Sequence, residues 1–290
     1  MKARLAIFIS IITLLCSCKG DNNNAAEKTI FVSITPLKML VEEITCGDFP
    51  VEVLVPEGAS PETYDPTARQ LTEASQAQML FSTGLITFEQ GLVERIAHKE
   101  RVVDLSSDIT LLAGCCTHNH SQSHMHHKHG IDPHIWTSPR ALGTMVRTMH
   151  KRVMKLYPDS VKYDVAAGRL LNRIEQLDAR CEETIATSDV EAFMIYHPAY
   201  TYYAHDYGIS QIAVEQDGKE PSPRQLAQLV DDVKLHNIKA ILLQPQYSPD
   251  KVMPLAEECD IEIIVTDPLA ADILSEIERV TTIICGGDEQ

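Results

Sequence analysis

Short apolar, β-rich runs alternate with amphipathic helical stretches along both halves of this 290-residue chain, and that alternation restricts the fold more than any other feature. In the first half the runs are Thr29 to Ile34, Val51 to Val55, Met79 to Ser82 and Arg101 to Leu105. In the second half they are Ala192 to Tyr196, Ile209 to Val214, Lys239 to Gln244 and Ile261 to Thr266. Helical spacing fills intervals at Pro36 to Ile44, Thr67 to Ala77, Phe88 to His98, Arg224 to Leu235 and Ser248 to Glu258. Strands alternating with helices in this way build mainly parallel sheets. Between the halves, Tyr157-Pro158-Asp159-Ser160 supplies a stop and an N-cap, after which Val161, Val165, Leu170, Ile174, Leu177, Cys181 and Ile185 recur at helical spacing. A single helix from about Ser160 to Thr187 would reach roughly 40 Å at 1.5 Å per residue. The expected fold is α/β: two parallel-sheet lobes, residues 29–158 and 189–290, joined by one long rigid helix over 159–188, with a ligand crevice between the lobes.

Charge narrows the partners. The chain has 25 Lys and Arg against 41 Asp and Glu, a formal net charge of −16, which repels phosphate backbones and argues against nucleic-acid binding. The same field draws cations in. At the N-terminus Lys2 and Arg4 precede an eleven-residue apolar run, Leu5 to Leu15, too short to span a bilayer but suited to a signal-peptide core. Leu15-Cys16-Ser17-Cys18 resembles the bacterial lipobox, which implies removal of residues 1–17 and acylation of Cys18. Several acyl chains exceed what stable anchoring needs. Residues 18–28, with Asn22-Asn23-Asn24, read as a flexible tether. The mature chain is expected to be exported, monomeric and lipid-anchored to a bacterial membrane, facing the periplasm or the cell exterior.

Six of the twelve histidines crowd into one polar stretch: His118, His120, His124, His126, His127 and His129, within a loop over 115–130. Dense imidazole in a structureless tract binds Zn²⁺, Cu²⁺ or Ni²⁺ in exchanging geometries, which suits an auxiliary metal-collecting loop. Four further positions each lie in a turn associated with a strand-like run, where open α/β sheets place their ligands. Glu62 lies in the Pro- and Gly-rich turn Pro56 to Pro66, and His134 in Asp132-Pro133-His134-Ile135-Trp136. His197 ends the run Ala192 to Tyr196, and Asp267 the run Ile261 to Thr266. Taken singly, Glu62 and Asp267 read equally as loop carboxylates and the two histidines as structural ones.

Together with Gly84…Phe88-Glu89, His197-Pro198-Ala199-Tyr200, Glu220-Pro221-Ser222-Pro223, Gln244-Pro245-Gln246-Tyr247 and Asp267-Pro268-Leu269, these segments resemble the metal-binding lipoproteins and periplasmic proteins that serve zinc and manganese ABC importers. The resemblance runs from Ile30 to about Ile284. It implies that Glu62, His134, His197 and Asp267 hold a divalent ion outside the inner membrane, and that an ABC permease and ATPase receive it. A His-rich loop before the Asp-Pro-His motif is typical of the zinc branch. The family commonly has His where this chain has Glu62. That substitution leaves two imidazoles and two carboxylates, a set that takes zinc and also suits the harder Mn²⁺ or Fe²⁺. Zinc ranks first because it outcompetes manganese at most such sites. A loop histidine could replace the missing nitrogen, in which case deleting residues 118–129 weakens zinc binding at the main site.

The chain is read as a receptor and not an enzyme. A secreted zinc-dependent hydrolase is the competing class, but neither His-Glu-x-x-His nor Gly-x-Ser-x-Gly occurs. A metal-buffering or adhesive lipoprotein without a permease is the third reading. Cys259 and Cys285 could form a disulfide at the end of the second sheet, Cys46 and Cys181 read as buried apolar residues, and Cys115 and Cys116 stay open between metal contact and a disulfide. Tyr200, Tyr202, Tyr203 and Tyr207 suit the packing of a helix against the cleft wall.

Overall fold

The computed structural model describes residues 28–96, 98–114, 130–215 and 218–287. The signal segment, Cys18, all of the tether but Lys28, and the six loop histidines with Cys115 and Cys116 lie outside the described residues.

Each expected strand forms inside its apolar run. The first sheet contains β1 (Ile30–Val32), β2 (Val51–Val53), β3 (Met79–Ser82) and β4 (Val102–Asp104) in the order β2-β1-β3-β4, all parallel. The second contains β5 (Ala192–Ile195), β6 (Ser210–Ala213), β7 (Ala240–Leu243) and β8 (Glu262–Val265) in the matching order β6-β5-β7-β8, again parallel. β1, β3 and β5 are buried along their whole length, which is why their sequences show no alternation of polar residues. In each sheet strand addition reverses after the first strand, which opens a crevice at the carboxyl ends.

Helices cover the sheets, and four of the nine among the described residues start at a side-chain cap. They are α1 (Thr35–Ile44), α2 (Ala68–Gln76), α3 (Thr87–Arg95), α4 (Pro139–Leu156), α5 (Val161–Ala186), α6 (Thr201–Tyr207), α7 (Pro223–Leu235), α8 (Met253–Cys259) and α9 (Ile273–Ile284). Thr67 and Ser222 close capping boxes with Gln70 and Gln225, and Ser138 and Asp272 accept the Ala141 and Ser275 N–H groups. α5 is the long connector. Its 26 residues extend roughly 39 Å and pack on α1 and α4 of the first lobe and on α9 of the second. One apolar core continues from Ile30, Leu40 and Met145 through Leu170 and Leu177 of α5 to Leu242, Ile273 and Ile277. A second core, with Met194, Ile241, Leu243 and Leu255, fills the outer face of the second sheet. The lobes thus share packed side chains, which opposes wide hinge motion.

The cysteine expectations need correction. Cys259 and Cys285 are both free thiols. Cys259 packs on the outer core of the second sheet and Cys285 on the inner one, so the sheet itself separates them. Cys46 is exposed, in the left-handed turn after α1 with φ 54°, whereas Cys181 is buried with its sulfur 3.2 Å from Thr281 Oγ1.

Candidate metal centre

Turns at the carboxyl ends of both sheets meet in the crevice. Glu62, His134 and His197 each offer a ligand atom there, all within 4.8 Å of one another. Glu62 Oε1 lies 3.5 Å from His197 Nε2 and 3.9 Å from His134 Nε2, and the two imidazole rings sit edge to face with centroids 5.3 Å apart. The His134 and His197 side chains are 8% and 12% exposed, while Glu62 closes the rim at 39%. A cavity of about 30 Å³ opens at this point, lined also by Trp136, Gln244, Tyr247 and Leu269. That volume accommodates a single ion or a water.

Each imidazole is braced from behind. His134 Nδ1 lies 2.9 Å from Asp132 Oδ1, which also accepts the His134 N–H at 2.8 Å. The other Asp132 oxygen accepts from Thr201 Oγ1 of the second lobe at 2.6 Å, and Tyr202 OH donates to the Asp132 carbonyl at 2.9 Å. His197 Nδ1 lies 3.3 Å from Glu215 Oε1. The His197 backbone is clamped by Gln244, whose side chain accepts the His197 N–H at 3.2 Å and donates to the His197 carbonyl at 2.6 Å. Tyr247 stacks on the His197 ring at 5.8 Å. With both Nδ1 atoms turned to carboxylates, both Nε2 atoms point at the shared space, the tautomer a metal requires.

Electrostatics follow from these contacts. Burial pushes His197 down, yet its bonds to Glu215 and Glu62 prevail and raise its pKa to about 9. Burial likewise works against ionised Glu62 and Asp132, and is outweighed for Glu62 by the bond to His197 and the nearness of His134, and for Asp132 by His134 and the Thr201 hydroxyl. Without metal, a proton on His197 takes part of the place of the cation.

Asp267 stands outside this group. Its Oδ1 accepts the Leu269 N–H at 2.9 Å, and its carboxylate lines a neighbouring cavity with Glu57, Gln246 and Ala271. Burial raises its pKa, with Glu276 and Glu57 adding to the shift. Its turn is nonetheless joined to the first lobe, because Trp136 Nε1 donates to the Pro268 carbonyl at 2.7 Å. The loop histidines lie outside the described residues, but the neck of their segment is defined: Ala113 bridges Ile131, and Gly130 and Ile131 line a cavity that also touches Glu62. Sequence reasoning passed over Glu215 and assigned no role to Asp132, Thr201 or Gln244. The signal for Glu215 was its place directly after the run Ile209 to Val214, the rule that picked out His197.

Residues 30–278 match the model of the zinc-uptake complex component A periplasmic family, ZnuA. A crystal structure of ZnuA superimposes with a TM-score of 0.79 at 31% identity, over 91% of this chain and 100% of that one. The zinc-binding lipoprotein AdcA of Streptococcus pneumoniae is 24% identical over 280 residues, which cover 93% of this chain and 56% of AdcA, so the chain spans about half the length of that relative. A Mn-bound periplasmic metal-binding protein from Candidatus Liberibacter asiaticus shares the fold, with a TM-score of 0.73 at 16% identity over 89% of this chain and 98% of that one. Its strand order, its interlobe crevice and this match over most of its length place the chain in the ZnuA family of periplasmic zinc-uptake components.

Proposed function

We propose that the protein captures one divalent transition-metal ion, zinc first, outside the inner membrane and hands it to an ABC importer. The supporting observation is the convergence of Glu62, His134 and His197 from both lobes within 4.8 Å, with a carboxylate behind each imidazole. Two nitrogens and one carboxylate form a borderline set that zinc occupies ahead of manganese or iron at comparable free concentrations. Asp267, whose Oδ1 accepts the Leu269 N–H, keeps its second carboxylate oxygen to offer as a fourth ligand. Cys18 carries the lipid anchor in this reading, and the histidines of 118–129 feed ions to the crevice from the adjoining neck.

Braced Nδ1 atoms suit a zinc receptor and a zinc enzyme alike, so the enzyme reading turns on its general base. A zinc hydrolase leaves a carboxylate beside the metal's open position as general base. Here Asp132 and Glu215 are turned to the far side of the imidazoles. The test is a zinc titration against a competing chelator. The tightest equivalent should vanish in the His134→Ala, His197→Ala double variant while weaker loop equivalents remain, and equal tight binding in variant and parent would refute the site. A manganese preference would appear in the same titration as displacement of zinc by equimolar Mn²⁺.

A further inference from the structure

We propose that the edge of the first lobe opposite the crevice is a membrane-docking surface that rests on anionic phospholipid. In a chain of net charge −16, cations without acidic partners gather at this edge. Lys99, Lys151 and Lys155 are exposed and have no ion-pair partner among the described residues. Contacts tie the cluster together. Arg152 Nη2 donates to the Glu100 carbonyl at 2.8 Å, and Arg101 Nη1 donates to the Ala77 carbonyl at 3.1 Å. Most carboxylates nearby are engaged, Glu100 with His98 at 3.1 Å, Asp48 with Lys162 and with Tyr163 OH at 2.6 Å, and Asp164 with His150 at 3.1 Å, while Asp159, exposed just past α4, offsets one of the positive charges.

The chain enters the fold at this same edge. Gln78 N donates to the Thr29 carbonyl at 3.0 Å, directly after the Ala77 that holds Arg101, and the Gln78 side chain bonds Tyr157 at the end of α4. Exposed Lys28 therefore leaves the lobe among these cations. Lys28 lies ten residues after Cys18, a span of at most about 36 Å, so a lipid on Cys18 keeps this edge within reach of the bilayer. α4 runs from Ser138, close to His134, down to Leu156, roughly 27 Å for its 18 residues. Docking by the basic edge then turns the metal crevice away from the lipid, which is the orientation for capture. Delivery to a permease requires the receptor to lift off. The net negative charge does not prevent contact, because screening limits repulsion to about 8–10 Å while the cations touch the surface.

The inference rests on the membrane-anchored reading above, and mass spectrometry of chain extracted from membranes tests lipidation separately. Docking is tested by vesicle sedimentation of residues 18–290 carrying Cys18→Ser, so that no acyl chain contributes. The protein is expected to sediment with vesicles of phosphatidylglycerol and phosphatidylethanolamine, to stay free of phosphatidylcholine vesicles, and to be released as ionic strength rises. Lys99→Glu, Lys151→Glu and Lys155→Glu combined should lower partitioning about a hundredfold, about fivefold per cation, with zinc affinity unchanged. Equal partitioning of variant and parent, or equal binding to neutral vesicles, would overturn the proposal. If the triple variant fails to fold, the single Lys99→Glu and Lys151→Glu proteins carry the same comparison.

Discussion

His197 shows how much of this site is set by what stands behind the ligand. Its Nε2 faces Glu62 because its Nδ1 faces Glu215, and Glu215 is held in turn by its own N–H bond to the Tyr196 carbonyl at 2.9 Å. Replacing Glu215 with Leu should weaken zinc binding by about 10- to 100-fold, and Glu215→Gln, which keeps an acceptor oxygen, should lose less. Chelator competition measures both. The proton on His197 gives a second expectation. Its pKa in the metal-free fold is about 9, raised from an ordinary 6.5, so the pairing stabilises that form fully below 6.5 and the contribution is lost as pH rises through 9. Zinc must displace this proton. Binding at neutral pH should therefore release about one proton from His197, and affinity should climb by up to about tenfold per pH unit until pH 9. Calorimetry in buffers of different ionisation enthalpy reads the proton count directly.

Among the elements, the loop between β3 and α3 gives the Gly84…Phe88-Glu89 segment a structural reason. Buried Glu89 reaches back to accept from Thr83 N at 2.9 Å, Thr83 Oγ1 at 2.7 Å, and Leu85 N and Ile86 N at 3.1 Å each. Four donors on one carboxylate leave an amide no acceptable orientation. Glu89→Gln should cost about 1–3 kcal/mol in a denaturant melt. Gly84 is needed for its conformation and its space: φ is +73°, and a Cβ there would lie 2.3 Å from Asp104 Oδ1. On α5, Leu170 is fully buried where the connector packs in the shared core. Leu170→Ala should cost about 2–5 kcal/mol through the cavity it leaves, seen as a lowered thermal midpoint. The alternating pattern does not single out α4 or α9, although both are strongly amphipathic. α4 begins only at Pro139, after the Asp-Pro-His turn, and its apolar positions Leu142, Met145, Val146 and Met149 are interleaved with basic residues.

For the whole molecule, metal bound as proposed would be coupled to the fold, because the crevice belongs to both lobes. His134 comes from the first lobe and His197 from the second, and the Asp132–Thr201 bond and the Trp136–Pro268 bond already cross between them. An ion bound to both imidazoles adds its binding free energy to folding, about 4.1 kcal/mol at a thousandfold excess over Kd. Zinc should raise the thermal midpoint of the parent chain, and His134→Ala should abolish most of that shift. A zinc-induced shift of equal size in the variant would place the stabilising ion elsewhere, on the loop histidines.

Local patterning alone determined the inner strands β1, β3 and β5, because a strand buried on both faces must be apolar throughout, and it determined the 26-residue connector, whose buried face repeats at helical spacing. It also marked the turns that carry Glu62 and His197, since ligands in parallel sheets sit where strands end, whereas His134 was marked by its Asp-Pro-His motif, thirty residues beyond β4. Tertiary structure decided which of those turns meet. Asp267 ends a strand as His197 does, yet its Oδ1 accepts its own Leu269 N–H and it is not in the group of ligand atoms that lie within 4.8 Å of one another. Cys259 and Cys285 stand on opposite faces of one sheet, a separation that spacing along the chain does not encode. Glu215 and Thr201 brace ligands from strand ends and helix starts remote from any motif, because a hydrogen bond depends on distance and direction in space and leaves no period in the sequence.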